Sequence, residues 1–198
     1  MVGASSGLIR LAIVIALAAA PFGTSAAAAT YVVTGSCRDG QAHGAYELRM
    51  PDGTLRVAGA FARGKRTGSF IYWSSTGVRI AHLPYDDDAL NGTVALWYSE
   101  GNSRSEPRAK LEAVYARGRR AGGVLSWYPN GRARAEFRYE NGNLAEARAW
   151  NAKGGKLSEA EARAMATHDV ATDDQFYNTL EAIVRDNPPP CEANGRPT

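Results

Sequence analysis

The chain is short of the residues that most often build reactive or metal-binding sites. Its 198 residues include only two cysteines and three histidines. The histidines (His43, His82 and His168) have no spacing typical of metal ligands, so we interpret them as polar surface residues. No serine elbow and no paired cysteine and histidine nucleophile is visible. These absences predict a protein that is not an enzyme and that uses no cofactor.

The chain also lacks a large excess of charge of either sign. The chain carries 23 Lys and Arg against 20 Asp and Glu. Removing residues 1–29, which hold a single charged residue, Arg10, leaves 22 basic against 20 acidic residues. Proteins that bind nucleic acid show a clear basic excess on one face, so the composition predicts no nucleic-acid partner.

Long hydrophobic runs are absent except at the start. Arg10 precedes an apolar run over residues 11–20, and Pro21, Gly23 and a stretch of small residues up to position 29 follow. A membrane anchor is the alternative interpretation, but a spanning helix needs about 20 apolar residues. The pattern indicates a cleavable signal peptide over residues 1–29, and hence a periplasmic or secreted protein.

The two cysteines, Cys37 and Cys191, stand near the two ends of the remaining chain. An even number of cysteines in an exported protein predicts a disulfide bond. Two free thiols are the alternative at this point.

The chain is rich in one repeated pattern. A Gly or Ala opens each unit, Trp or Arg follows five residues later, and Gly follows nine residues after the start. The five units begin at Gly44, Gly68, Gly92, Gly122 and Ala145, and they contain Arg49, Trp73, Trp97, Trp127 and Trp150 in turn. The starts are 24, 24, 30 and 23 residues apart. Such a period is the signature of a repeat array, which usually presents an extended binding surface.

Each unit is predicted to be a β-hairpin. In the unit that begins at Gly122, a short aromatic and β-branched segment ends at Asn130-Gly131, a pair that favours a type I′ turn with two positive φ angles. Residues 132–139 then alternate between charged and apolar side chains. Alternation with one apolar face predicts a half-buried strand.

The array has two irregular places. Cys37 stands at the same distance from the glycines that follow it as an aromatic residue does in later units. Residues 31–37 are therefore predicted to form an unpaired second strand, that is, the second half of a repeat unit whose first strand is missing. An atypical terminal unit is expected where an array must be capped. The long third unit is explained by an insertion over residues 102–108, whose Pro107 suits a surface loop.

This pattern resembles the MORN repeat, in the variant form of bacterial envelope and antitoxin-like proteins. The matching residues are Gly92, Trp97, Tyr98 and Gly101, then Gly122, Trp127, Tyr128, Pro129, Asn130 and Gly131, followed by Glu136, Tyr139 and Gly142. The resemblance implies a mainly β fold, a single-layer antiparallel β-meander over residues 30–155. It also implies a scaffold or binding role without catalytic residues, and allows an antitoxin or immunity function.

Residues 156–198 have a different composition and are predicted to form a helical cap. Ser158 and Glu161 form a capping box that begins a helix ending near Thr167, and residues 172–175 suggest a second box before a helix over 173–186. A single-layer sheet must cover its apolar face. We expect both helices to run back along the sheet so that Cys191 bonds Cys37, which closes a loop of about 150 residues and stabilises the fold by up to roughly 5 kcal/mol.

Charged residues recur at one slot of the repeat. Two basic clusters alternate with acidic residues at Asp86, Asp87 and Glu140. The basic residues are Arg63, Lys65, Arg66, Arg117, Arg119 and Arg120. One interpretation is that neighbouring turns only neutralise each other through weak exposed ion pairs. The functional alternative is an edge that binds an acidic partner or an anionic lipid head group.

The aromatic residues suggest two surfaces. The row of Trp73, Trp97, Trp127 and Trp150 is predicted to belong to the core of the array. Tyr72, Tyr98 and Tyr128 are expected on the opposite face as an exposed binding stripe.

Together these patterns predict a non-catalytic protein-binding or scaffold module of the bacterial cell envelope, whose partner is an unknown envelope protein. The alternative is a peripheral module that binds anionic membrane lipid through the basic turns. The antitoxin or immunity function rests on the resemblance alone.

Overall fold

The computed structural model of the protein describes residues 31–99 and 107–191. The predicted signal peptide lies outside these residues, and so does most of the predicted insertion at 102–108.

The described chain forms one antiparallel sheet followed by one helix. The strands are β1 (Val32–Arg38), β2 (Gln41–Arg49), β3 (Leu55–Ala62), β4 (Lys65–Trp73), β5 (Arg79–Asp86), β6 (Ala89–Leu90), β7 (Gly92–Trp97), β8 (Ala109–Ala116), β9 (Arg119–Trp127), β10 (Ala133–Glu140) and β11 (Asn143–Ala149). Apart from the short β6, which pairs only with β5, each strand pairs with its neighbours in chain order. The hairpin meander is therefore confirmed. Strand β1 is the predicted half unit at its start: it has no first strand of its own before it and pairs with β2.

Two kinds of turn alternate along the sheet. Between repeat units, turns such as Arg63-Gly64 and Arg117-Gly118 have two successive positive φ angles, as a type I′ turn requires. The predicted type I′ turn at Asn130-Gly131 is wrong, because only Gly131 has a positive φ. Pro129 fixes its own φ near −65°. A type I turn with a left-handed glycine results, closed by the Gly131 N–H that donates to the Tyr128 carbonyl at 2.9 Å.

A β-bulge recurs in four hairpins at the start of the second strand. The pairing register passes over one residue each time, and these residues are Arg56, Ile80, Lys110 and Arg134. A bulge redirects the extra side chain out of the regular alternation. The Lys110 ammonium thus lies 5.6 Å from the Phe176 ring on the helix, and Arg134 donates to Asp169 at 2.8 Å.

The helix α1 (Glu159–Arg185) is continuous over 27 residues, which corrects the prediction of two helices. Its start is as predicted: Ser158 and Glu161 form the capping box. The second capping-box sequence, at Thr172 and Gln175, lies inside α1. No Gly or Pro interrupts the intervening chain, the Thr172 hydroxyl donates to the His168 carbonyl at 3.0 Å, and Asp173 faces the sheet rather than capping.

The core lies between α1 and one face of the sheet. The helix contributes apolar residues three and four positions apart to this core, as an amphipathic helix does. They are Ala162, Ala166, Tyr177, Leu180 and Val184. Facing them are buried residues of the sheet, which include Tyr46, Leu48, Phe70, Tyr72, Leu83, Leu96, Val124 and Phe137. The expectation that the tail covers the apolar face of the sheet is confirmed.

A disulfide bond fixes the far end of the tail. Cys37 in β1 is bonded to Cys191, with a Cα–Cα distance of 5.6 Å across 154 residues of sequence. Close by, the Tyr46 hydroxyl donates to the Asn187 carbonyl at 2.7 Å. The predicted return of the tail to the first strand is confirmed in both direction and pairing.

Candidate binding surfaces

The face of the sheet opposite α1, which we call the open face, carries a continuous row of cross-strand neighbours. Pairing registers connect them from β1 to β11 in the order Thr34, Glu47, Ala58, Ile71, His82, Ala95, Glu112, Leu125, Glu136 and Arg148. Side chains alternate between the two faces of a strand, so this row lies between the rows that the helix covers. It is a mixture of small, apolar and charged residues.

The tryptophans lie on the open face, and the prediction that they belong to the core is wrong. Trp73 and Trp97 each follow a fully buried core residue, so alternation turns them away from the helix. All four tryptophans are half-buried. The Arg79 guanidinium lies 4.1 Å from the centre of the Trp97 ring, a cation–π contact that shields part of the row.

Tyr72 is not part of an exposed stripe. It is only 1% exposed, lies against the helix-facing core, and burial raises the pKa of its hydroxyl well above the ordinary value. The reason is its position in the repeat. Tyr72 precedes a tryptophan, whereas Tyr98 and Tyr128 follow one.

Tyr98 and Tyr128 join successive repeat units. The Tyr98 hydroxyl donates to the Trp127 carbonyl at 2.7 Å, and the Tyr128 hydroxyl donates to the Trp150 carbonyl at 2.8 Å. Both rings are half-buried. These hydroxyls therefore hold neighbouring hairpins together, and the exposed tyrosine stripe expected from the sequence does not form.

Three of the six predicted basic residues are exposed and have no ion-pair partner among the described residues. Arg63 and Arg117 occupy the first central position of equivalent type I′ turns, and Arg119 follows the second of these turns. All three side chains are exposed. They lie along the same edge of the array, as the equivalent repeat slots predicted.

Lys65 and Arg66, which follow Arg63 in the sequence, are paired with acidic residues of the next turn along the same edge. Lys65 contacts Asp87 at 2.6 Å and Arg66 contacts Asp88 at 2.9 Å. Arg66 also reaches Glu181 on the helix at 2.9 Å. Neutralisation between neighbouring turns, one of the two alternatives drawn from the sequence, accounts for these two residues.

Arg120 is buried, contrary to its expected place on an exposed edge. It is 6% exposed, and its Nη2 donates to Asp173 of α1 at 2.8 Å while its Nε donates to the Tyr115 hydroxyl at 3.1 Å. Burial raises the pKa of the Asp173 carboxyl, and the nearby Arg120 opposes that rise. Arg120 thus fixes the helix to the sheet and is not available to a partner.

A third arginine also binds the helix, and the sequence analysis missed it. Arg134 donates from Nη2 to Asp169, four residues before Asp173. Asp169 and Asp173 lie in register with the buried apolar stripe of α1, and both are buried. Two acidic residues in the apolar stripe of a helix were the signal for two cations opposite, of which Arg120 is buried and Arg134 is half-buried.

Among residues 31–99 and 107–191, no group of three or more His, Cys, Asp or Glu side chains is arranged to hold a metal ion. The one helix of that part of the chain is not apolar enough to cross a membrane. Comparison with known proteins finds no matching family and no matching curated protein.

Proposed function

We propose that the protein is a non-catalytic protein-binding or scaffold module of the bacterial cell envelope. The observation that carries this proposal is the asymmetry of the sheet. One face is covered by α1, whereas the open face keeps a row of half-buried tryptophans and two large apolar residues that are more than a third exposed, Val114 and Leu125. Aromatic residues are enriched where proteins bind other proteins.

The proposed location is supported by the disulfide. A bond between Cys37 and Cys191 is typical of an oxidising compartment, which includes the periplasm and the extracellular space. The signal-peptide pattern of residues 1–29 and the resemblance to envelope MORN-repeat proteins point in the same direction.

A peripheral lipid-binding module is the second candidate. Arg63, Arg117 and Arg119 are exposed along one edge, where they would attract anionic head groups at about 1 kcal/mol per cation. The edge has fewer free cations than the sequence suggested, since Lys65, Arg66 and Arg120 are engaged within the protein.

The deciding experiment is affinity capture from envelope extract of the source cells, using the exported, disulfide-bonded protein, with and without detergent. A single stoichiometric protein captured in both conditions supports the first function. Capture that disappears in detergent, with salt-sensitive binding to vesicles of anionic lipid, overturns it in favour of the second.

A further inference from the structure

One part of the open face concentrates its exposed apolar surface. Val114 is 37% exposed and Leu125 is 41% exposed, and only Val32, on the edge strand, joins them as an exposed large hydrophobic residue of the described chain. Glu112 lies between them. It is the direct cross-strand neighbour of Leu125 and stands two residues before Val114 on β8. We call Glu112, Val114 and Leu125 the central patch.

The patch is open because of its backbone. Glycines stand at positions 122 and 123 on β9, beside Val114 and Leu125. A side chain at Gly122 would place its Cβ 3.3 Å from the Val114 Cβ, whereas Gly123 has open space where a Cβ would be. Trp97 and Trp127 are the last residues of β7 and β9.

The Glu112 carboxylate has no ion-pair partner among residues 31–99 and 107–191. The other two carboxylates of the same row are paired, Glu47 with Arg49 at 2.9 Å and Glu136 with Arg148 at 3.2 Å. Lys110, on the same strand, is turned to the helix side by its bulge. The central patch is thus an apolar surface that holds one unpaired negative charge.

A partner that covers Val114 and Leu125 must also remove water from Glu112. Burying a carboxylate beside apolar groups is strongly unfavourable unless a cation pairs with it. A purely apolar or an acidic partner is therefore rejected, and a segment with one basic side chain between apolar residues is favoured.

We propose that the central patch binds a segment of another protein in which a Lys or Arg is flanked by apolar residues, and that Glu112 pairs with that cation. This inference rests on the proposed protein-binding function and names its surface and the chemistry of its partner. Anionic lipid does not fit this surface, because its head group would meet a like charge.

The test uses a random peptide library displayed on phage and selected on the full chain, exported so that its disulfide forms. We expect selected peptides to carry a basic residue between apolar ones. Glu112→Lys should weaken their binding at least about tenfold, as expected for loss of a charge pair that is desolvated in the complex. Exchanging the basic residue of the peptide for Glu should restore binding to the Glu112→Lys protein.

The matched control is Glu47→Lys, which makes the same charge change in the same row but on β2, five strands away from Glu112. It should change the affinity of the selected peptides less than about threefold, since exposed rim charges act weakly. Equal losses in the two variants, or selected peptides without a basic residue, would overturn the proposal. So would a dimer that Glu112→Lys dissociates in sedimentation velocity, since the occupant would then be a second copy.

The same variant separates this inference from the proposed function. If the envelope protein captured by the native chain is captured equally by Glu112→Lys, the central patch is not the site and the protein-binding function stands. If the native chain captures no protein and selects no peptide, the function itself is wrong.

Discussion

At the scale of single residues, ion pairs in this protein divide by exposure into two kinds. The side chains of Lys65 and Asp87 are 49% and 64% exposed, whereas those of Arg120 and Asp173 are 6% and 10% exposed. Exposed pairs are screened and contribute little, but a buried charge that loses its partner is strongly destabilising. The basic edge recognised in the sequence therefore contains residues with very different roles.

Replacing Asp173 by Asn should lower the free energy of unfolding by about 3–5 kcal/mol, because Arg120 is left as an uncompensated buried charge. Urea denaturation at neutral pH measures this loss. The matched control, Asp87→Asn, removes an exposed pair and should cost less than about 1 kcal/mol. Similar losses in both variants would contradict the burial of Arg120.

Buried tyrosine hydroxyls predict a loss of stability in alkali. Burial raises the pKa of Tyr46 from 10.0 to about 12, and the pKa values of Tyr72, Tyr85, Tyr115 and Tyr177 are also raised chiefly by burial. At a pH between 10.0 and the raised pKa of a tyrosine in the folded protein, the unfolded chain has released the hydroxyl proton that the folded chain keeps. The free energy of unfolding therefore falls as the pH rises above 10.

Urea denaturation at a series of pH values checks this expectation. In the folded protein, the ultraviolet absorbance of tyrosinate should rise at a higher pH than it does in the unfolded chain. The Tyr46→Phe variant should show a shallower decline above pH 10, although it also loses the hydrogen bond to Asn187 at neutral pH. A free energy of unfolding that stays level from pH 10 to pH 12 would contradict the prediction, because burial raises the pKa of Tyr46 from 10.0 to about 12.

At the scale of elements, the helix and the turns show where the sequence was informative. Strand alternation and the Ser158 cap predicted both kinds of element, because these patterns act within a few residues. The continuity of α1 was missed because residues 172–175 have the sequence of a cap, but here Arg120 of β9 binds Asp173 instead. A tertiary contact decided between two uses of the same side chain.

Ala171 tests the continuity of the helix, because it is exposed in the middle of α1. Ala171→Pro should lower the free energy of unfolding by at least about 3 kcal/mol, since proline removes one helical hydrogen bond and collides with the preceding turn. Ala171→Gly, the control, should cost only about 1 kcal/mol. A proline variant as stable as the glycine variant would show that the helix is broken near this position.

At the scale of the whole molecule, the sequence predicted the array, the return of the tail and the cysteine pair, but not which face of the sheet the tail covers. Both faces carry aromatic residues, Tyr46 and Tyr72 on one side and Trp73 and Trp97 on the other. The alternation of side chains along a strand separates the two faces of the sheet, but it does not show which face the helix buries. For that reason the sequence analysis assigned the tryptophans to the core and Tyr72 to an exposed stripe, which is the reverse of their positions in the structure.

The disulfide should contribute substantially to the stability of the whole fold. Replacing both Cys37 and Cys191 by Ser should lower the free energy of unfolding by about 2–5 kcal/mol, because the bond closes a loop of 154 residues in the unfolded chain. Urea denaturation with and without a reductant measures this. The reductant should destabilise the native protein by a similar amount and leave the double variant unchanged, and any other result would contradict the assignment.

The position of this bond also determines how the molecule carries mechanical load. Tension applied through chain outside the two cysteines passes directly from Cys37 to Cys191 along covalent bonds. Strands β2 to β11 and the helix lie between the two cysteines and are bypassed by that force. A protein tethered at both ends would thus keep its hairpin array folded under stretching, and its resistance would be lost once the sulfurs are reduced.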